Sequence, residues 1–463
     1  MSFTDKYTKA FKYLLPTPFT IAVVLTILTF FIALIATEPA PEATGSYAIQ
    51  ILKYWEEGIW NSGLLVFAMQ MMLMLVLGHV LALTKPVNNF INLVVKSCNT
   101  TAKAAALVTL LTILVSLFNW GLGLIFGAIF ARKVGEHASK LNIKINYPII
   151  GAAGYSGLMV WHGGLSGSSL AKVAEPGHLA TMMAGILPEE QLSILPEQIT
   201  YAETVGSSMN IVVMILLVTI LPLSMYWIGK KSSTTTIYLK KNDVEEDVFE
   251  KIEGVEKLDY SRIFTLLFGA IMLFYIGYKV VMEYNYDFLK FFNPNNINLL
   301  LLTLAILLHK NIIEFLKAID QAISGASGIL IQFPLYFGIM GIMRSSGLVT
   351  EISDFFVSIS NETTYPIFTF LSAGLVNIFV PSGGGQWAVQ GPIIVQAAND
   401  IGISLPKSIM ALAYGDQLTN MLQPFWALPL LGITGLKAKE ILPYTLFLML
   451  IGTVIFITGL LLF

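Results

Sequence analysis

Apolar residues in this chain run in long uninterrupted stretches rather than alternating with polar ones at helix or strand intervals. Windows free of Asp, Glu, Lys and Arg cover 13–37, 58–84, 104–131, 145–171, 204–229, 263–278, 291–308, 321–343, 363–399 and 441–463. One more window, 408–436, holds a single acid, Asp416. A bilayer core about 30 Å thick takes roughly 20 apolar residues per helix. The pattern therefore predicts an all-α integral membrane protein, a polytopic bundle. Lys6, Lys9 and Lys12 precede the window 13–37, which is too long for a signal-peptide core, so it reads as a retained first span with a cytoplasmic N-terminus.

The flanking charges set the expected topology. Lys96 and Lys103 stand before 104–131, and Arg132, Lys133, Lys140 and Lys144 stand after it. Basic flanks mark the cytoplasmic side, so this window reads as a re-entrant hairpin that starts and ends there. The window 363–399 lies between Glu362 and Asp400 and is broken by Pro381-Ser382-Gly383-Gly384-Gly385, so it reads as a second hairpin entering from the other face. Loops 38–57 and 175–203 are acidic and expected outside; 85–103 and 230–262 are expected inside. The crossings are then 13–37, 58–84, 145–171, 204–229, 263–282, 297–309, 321–343, 408–436 and 441–463. These make nine spans and two hairpins, with the C-terminus outside.

The interruptions recur along the chain. Gly63-Leu64-Leu65-Val66 resembles Gly328-Ile329-Leu330-Ile331, Asn119 to Gly123 resembles Pro381 to Gly385, and Gly154-Tyr155-Ser156-Gly157 resembles Ala413-Tyr414-Gly415-Asp416. The offsets are nearly constant and the flanking charges are reversed. Apolar segments interrupted at matching positions of two halves point to inverted-topology repeats of a secondary transporter. The expected organisation is a first repeat at 1–229 (hairpin 104–131, broken helix 145–171), a charged cytoplasmic linker at 230–262, and a second repeat at 263–463 (hairpin 363–399, broken helix 408–436).

Composition narrows the classes. The chain has 463 residues, 27 basic and 29 acidic, a net charge of −2 and only 12% charged residues, about half the roughly 25% of soluble domains. Mean hydropathy is +0.73. A disordered chain, a nucleic-acid binder and a soluble multidomain enzyme are all excluded or disfavoured. Cys98 is the only cysteine, which leaves no intrachain disulfide, Cys-based metal site or redox pair. A phosphate-binding G-x-x-x-x-G-K-[ST] run and an H-E-x-x-H run are both absent, so ATP-driven transport by this chain alone is not expected, nor is a metal or cofactor.

The breaks carry the candidate chemistry. Backbone groups freed inside a bilayer cost several kcal/mol each unless protein or a watery cavity satisfies them. Gly-rich tips therefore mark buried polar sites, whose helix N-termini suit a carboxylate and whose free carbonyls suit a cation. The candidate substrate ligands are Asn119, Gly121 and Gly123 at the first tip and Gly163, Gly164, Ser166 and Ser168 at its partner break. At the second tip they are Ser382, Gly383, Gly384 and Gly385, and at its partner break Gln417, Asn420 and Gln423. For each glycine helix packing is the competing role, and for each Ser, Asn or Gln an ordinary interhelical bond. Asp416 and His162 are the candidate coupling-ion residues. An intramembrane acid is a functional hypothesis by default, with a structural ion pair as its rival, and a histidine can carry a proton or simply brace a carbonyl. Trp120, Trp161, Trp387 and Trp426 adjoin the four breaks, and no Lys or Arg lies in any of them. That combination favours a small monocarboxylate with an apolar tail over a dicarboxylate or phosphate.

Asn119 to Leu124, Trp161 to Ser168, Val380 to Trp387, Gln390-Gly391-Pro392, Tyr414 to Gln417 and Gln423 to Pro429 together resemble the bacterial short-chain fatty acid transporter family (the AtoE type), over nearly the whole chain. The resemblance implies transport of butyrate- or acetoacetate-like acids across the bacterial inner membrane and a distant likeness to ion-transporter folds with paired hairpins. In that family the position of Asp416 is often Glu, which keeps the acid but leaves the cation open. The expected partners are the bilayer, a short-chain carboxylate and H⁺ or Na⁺ as coupling ion, with a homodimer left open and no nucleic acid. A cation/proton antiporter and a carboxylate channel of the same fold stay as alternatives. A membrane enzyme working through His162 or Asp416 stands further off, for want of a nucleophile or a second nearby His.

Overall fold

The structure is a computed structural model, and it describes residues 17–39, 45–184, 187–236, 254–291 and 293–463. The basic N-terminal residues and the middle of the charged linker, 237–253, lie outside the described residues, as do 40–44 of the first external loop. Among the described residues the chain is helical, with isolated bridges (Ile145 with Thr235, Ala184 with Leu187) in place of strands.

The helices follow from capping residues at the ends of apolar runs. α1 (Pro18–Ala36) starts behind Thr17, whose side chain accepts from Thr20 N–H, with Pro at its first turn. α2 (Tyr47–Ile59) is amphipathic, and α3 (Ser62–Leu83) starts at Asn61, which accepts from Leu64 N–H. α4 (Lys85–Val95) leads to α5 (Thr101–Phe118) and α6 (Trp120–Lys140), a pair broken only at Asn119. α7 (Tyr147–Tyr155) passes through short 3₁₀ turns at Ser156–Met159 and Trp161–Gly163 before α8 (Ser168–Val173). α9 (Ser208–Lys231) follows, then α10 (Arg262–Tyr278), α11 (Pro294–Leu308), α12 (Ile312–Ile323) and α13 (Ser327–Ser345). The remaining helices are α14 (Leu348–Ser358), α15 (Tyr365–Phe379), α16 (Gly383–Ile401), α17 (Leu405–Thr419), α18 (Pro424–Thr434) and α19 (Ala438–Leu462).

Among the described residues seven helices are long and apolar enough to cross a membrane: Pro18–Ala36, Ser62–Leu83, Thr101–Phe118, Ser208–Lys231, Arg262–Glu283, Ile312–Ser345 and Ala438–Leu462. The protein is thus a multi-span membrane protein. Its outer helices present their apolar side chains outward, as with Phe31, Ile35, Ile263 and Phe274, which is what a hydrocarbon solvent favours. Thr101–Phe118, one of the seven, is the first arm of the segment expected as a hairpin. The stretches 145–171 and 408–436 are interrupted helices, and 297–309 belongs to a 15-residue helix that starts at Pro294. The helix expected at 321–343 starts earlier, at Ile312, because α12 runs into α13 through a single 3₁₀ turn. Its charges, Glu314, Lys317 and Asp320, lie on one amphipathic helix, which a search for charge-free windows cuts away. In the same way the expected loop 38–57 contains α2, which packs along α13.

The interrupted helices sit at the centre. A Cβ on Gly127 of α6 would lie 2.1 Å from the carbonyl oxygen of Gly154 on α7, and one on Gly415 of α17 would lie 2.1 Å from that of Phe370 on α15. Only glycine permits such backbone contact. These approaches press each interrupted helix onto its helix pair and bring the four breaks into one region.

Candidate functional site

The first break pair is stitched by backbone. Asn119 caps α6 by accepting from Leu122 N–H at 3.0 Å. The Trp120 N–H donates to Ser166 Oγ at 2.9 Å, and the Leu165 N–H donates to the Leu117 carbonyl at 2.8 Å. Backbone freed at the break is thus taken up by protein, as a bilayer interior requires. Gly164 faces that same carbonyl, which a Cβ would meet at 2.4 Å. Gly121 is packed against Met74 and Gly123 against Ser116.

The second pair is built the same way. Ser382 caps α16 by accepting from Gly385 N–H. The Asn377 side-chain amide donates to the Asp416 carbonyl at 2.7 Å and to Asn420 Oδ1 at 2.9 Å. Gln423 Nε2 donates to the Asn377 carbonyl. Tyr155 ties the two halves together, its hydroxyl donating to the carbonyls of Asn420 and Gln423.

The two constructions meet at Gly383. A Cβ there would lie 2.9 Å from Asp416 Oδ2, from His162 Cε1 and from the far edge of the Trp161 indole. Asp416 and His162 are fully buried, with Asp416 Oδ2 2.9 Å from His162 Nδ1, at ion-pair distance though not aligned as a hydrogen bond. The Trp161 and His162 rings stack at 4.4 Å. His162 Nε2 accepts from the Ser169 N–H at 3.1 Å and lies 2.8 Å from Ser169 Oγ. A backbone N–H can only donate, so the imidazole proton sits on Nδ1, facing Asp416. Ser168 comes alongside the second tip, 4.0 Å from a Cβ on Gly384.

Gln417 supplies a second link. Its Oε1 accepts from His162 N–H at 2.9 Å and from Gly163 N–H at 3.1 Å. Two fixed donors settle which end of the amide is oxygen, so Nε2 points away with its hydrogens, and among the described residues it has no partner. Asn420 is oriented likewise by Asn377, which leaves its Nδ2 unpartnered. The Trp161 Nε1–H is a third buried donor without a partner, and Gln423 Oε1 an unpartnered acceptor. An unpaired buried polar group costs about 1–3 kcal/mol. Three such donors on the two interrupted segments make a set suited to an acceptor-rich ligand such as a carboxylate. One wall of the region is aromatic: Trp120 lies 5.9 Å from Trp161 and 5.2 Å from Trp426, ring centre to ring centre.

The structure thus gathers His162, Gly163, Ser168, Gly383, Gly384, Asp416 and Gln417, with Asn420 and Gln423 one turn further on. Asn119, Ser166, Gly164 and Leu117 form the adjoining first tip. Trp387, expected at the second tip, turns away toward His178. Sequence reasoning passed over Ser169, Tyr155 and Asn377. Each is a polar side chain inside an apolar stretch, which was the available signal. An apolar cleft of about 430 Å³ touches Gly163, Gly164 and Leu165, while His162, Asp416 and Gly383 lie outside its lining. The acid is therefore enclosed in this conformation.

Comparison with known proteins adds the following. The sequence model of the family described as "Short chain fatty acid transporter" matches residues 2–463. A candidate short-chain fatty acid transporter of Escherichia coli (strain K12) is 37% identical over 454 residues, 97% of this chain and 96% of that protein. One from Haemophilus influenzae (strain ATCC 51907 / DSM 11121 / KW20 / Rd) is 35% identical over 456 residues, with the same coverage of each. A solved structure of MtrF from Neisseria gonorrhoeae, from a class of antimetabolite efflux pumps, aligns over 97% of each chain at 14% identity with a TM-score of 0.41.

Proposed function

Because the chain belongs to the short chain fatty acid transporter family, we propose that it is a secondary active transporter that moves butyrate- or acetoacetate-like monocarboxylates across the bacterial inner membrane by symport with H⁺ or Na⁺. The observation that carries this reading is the meeting at Gly383 of a buried acid, Asp416, with His162 and Trp161, in two interrupted segments whose buried donors Trp161 Nε1, Gln417 Nε2 and Asn420 Nδ2 have no partner among the described residues. The donors take the carboxylate oxygens and Asp416 takes the coupling cation. With its ring proton on Nδ1, His162 faces Asp416 at 2.9 Å. The absence of Lys and Arg from the breaks matches a single carboxylate, and the tryptophan wall matches a short alkyl tail.

The enclosure of the acid supports alternating access, since substrate reaches it only when the tips part from the interrupted helices. Breaks recurring at a near-constant offset, each interrupted helix bonded back to its own helix pair, support two inverted repeats with re-entrant tips, a cytoplasmic N-terminus and an external C-terminus. Counterflow tests the reading. Proteoliposomes loaded with unlabelled butyrate should transiently accumulate labelled butyrate above its external concentration. A channel cannot do this, and a cation/proton antiporter would move no butyrate at all.

A further inference from the structure

His178 opens a short helix, His178–Met183, entered through Gly177 in the left-handed conformation (φ 74°). The indole Nε1–H of Trp387 donates to His178 Nε2 at 3.0 Å. Trp387 is 2% exposed and stands one turn into α16, directly after the Gly383–Gly385 turn. A Cβ on Gly391, the next turn of α16, would meet the Trp387 ring at 3.0 Å and Met182 Sδ at 3.1 Å. Two side chains of the segment 174–207 therefore rest on the helix that carries the second tip. The same segment is anchored to itself and to the first break. Gly177 N–H donates to the Glu197 carbonyl and Ile199 N–H to the Val173 carbonyl, both at 2.8 Å, and the Tyr201 hydroxyl donates to the Leu165 carbonyl at 3.4 Å. The result is a strap from the first break to the second tip.

An indole N–H only donates, so His178 Nε2 must accept, and it can do so only while the imidazole is neutral. A proton on Nε2 would set two donors against each other. We infer that His178 is a positioning residue that holds Trp387, and through it the Gly383–Gly385 turn, only in its neutral form, so that acid on its side of the membrane releases the turn. The charged groups facing His178 are Lys172, which opposes its protonation, and Glu175, which favours it; the two pair with each other at 3.0 Å. Burial, the largest influence, together with Lys172 holds His178 below its ordinary 6.5, so release takes a more acidic solution than an unperturbed histidine would need.

The inference rests on the transport reading, and its test separates the two. Butyrate exchange is followed across about pH 5 to 8, where histidine changes charge. The wild type should show KM rising about three- to tenfold at the acidic end, the size of one lost hydrogen bond. His178→Gln keeps an acceptor that does not titrate, so the rise in KM at the acidic end should be absent from its profile. His178→Phe should show the raised KM at every pH. An acid limb that persists in His178→Gln, or a flat wild-type profile, overturns the inference. Amide hydrogen exchange over 174–207 and 383–401, compared between wild type and His178→Gln at the same pH, needs no substrate. Faster exchange in the wild type at acidic pH alone supports the strap, and equal exchange throughout overturns it whether or not butyrate moves.

Discussion

Gly383 gives a sharp test of the site. Replacing it with alanine adds one methyl group where three buried groups converge, at 2.9 Å each from Asp416 Oδ2, His162 Cε1 and the Trp161 ring edge. None of them can retreat easily: His162 is pinned by Ser169, and the Trp161 ring is stacked on His162. Overpacking of this kind costs about 1–3 kcal/mol, and at 1.4 kcal/mol per factor of ten this is a loss of roughly five- to 150-fold in exchange rate or affinity. Gly384 is the internal control. Its Cβ would meet only Ser168, at 4.0 Å, an ordinary contact. Helix propensity favours alanine over glycine by up to about 1 kcal/mol, so propensity alone would give no loss at either position. In butyrate counterflow, Gly383→Ala should fall by at least about fivefold and Gly384→Ala should stay within about twofold. Equal losses at both positions, or an unaffected Gly383→Ala, would refute the convergence at Gly383.

Three further outcomes follow from the geometry. Gln417→Glu keeps the acceptors for His162 and Gly163 N–H but removes the free donor and adds negative charge, so KM for butyrate should rise by at least about tenfold while yield and thermal stability in detergent hold, one charged hydrogen bond being worth about 1.5–3 kcal/mol. Tyr155→Phe leaves the Asn420 and Gln423 carbonyls without their shared donor; a stability loss of about 1–3 kcal/mol should show as a lower thermal inactivation midpoint. Cys98 is buried between α4 and α5, and burial pushes its thiol up to about 11. The thiol therefore stays protonated and unreactive below that pH, and maleimide should label the native protein at neutral pH far more slowly than the unfolded chain.

Much of the architecture could be read from residues alone, because a bilayer demands long apolar runs and punishes every interruption. The tips at Asn119 and Ser382 appear as helix caps and the break at Trp161 to Gly163 as a 3₁₀ turn, whereas of the break expected from Tyr414 to Gln423 the part Tyr414 to Gln417 is helical and the turn comes only at Asn420 to Leu422. Asp416 stood out as the only acid in its window. What stayed hidden was either amphipathic or distant in sequence. α2 and α12 carry charges on one face, so they vanish from charge-free windows. The links from Gln417 to His162, from Tyr155 to Asn420 and from Trp387 to His178 join residues more than 200 positions apart. Nothing local in a sequence encodes such pairs. Gly121 and Gly123 show the limit of composition: they look like Gly383, yet their neighbours are the packing side chains Met74 and Ser116.

The central claim is that Asp416 couples carboxylate movement to a cation gradient. Uptake of radiolabelled butyrate into proteoliposomes, with a proton gradient and a Na⁺ gradient imposed separately, addresses it in wild type and Asp416→Asn. One gradient should drive accumulation in the wild type, thereby naming the ion, and Asp416→Asn should lose that accumulation. Accumulation that persists in Asp416→Asn, or the absence of butyrate flux under either gradient, would contradict the account.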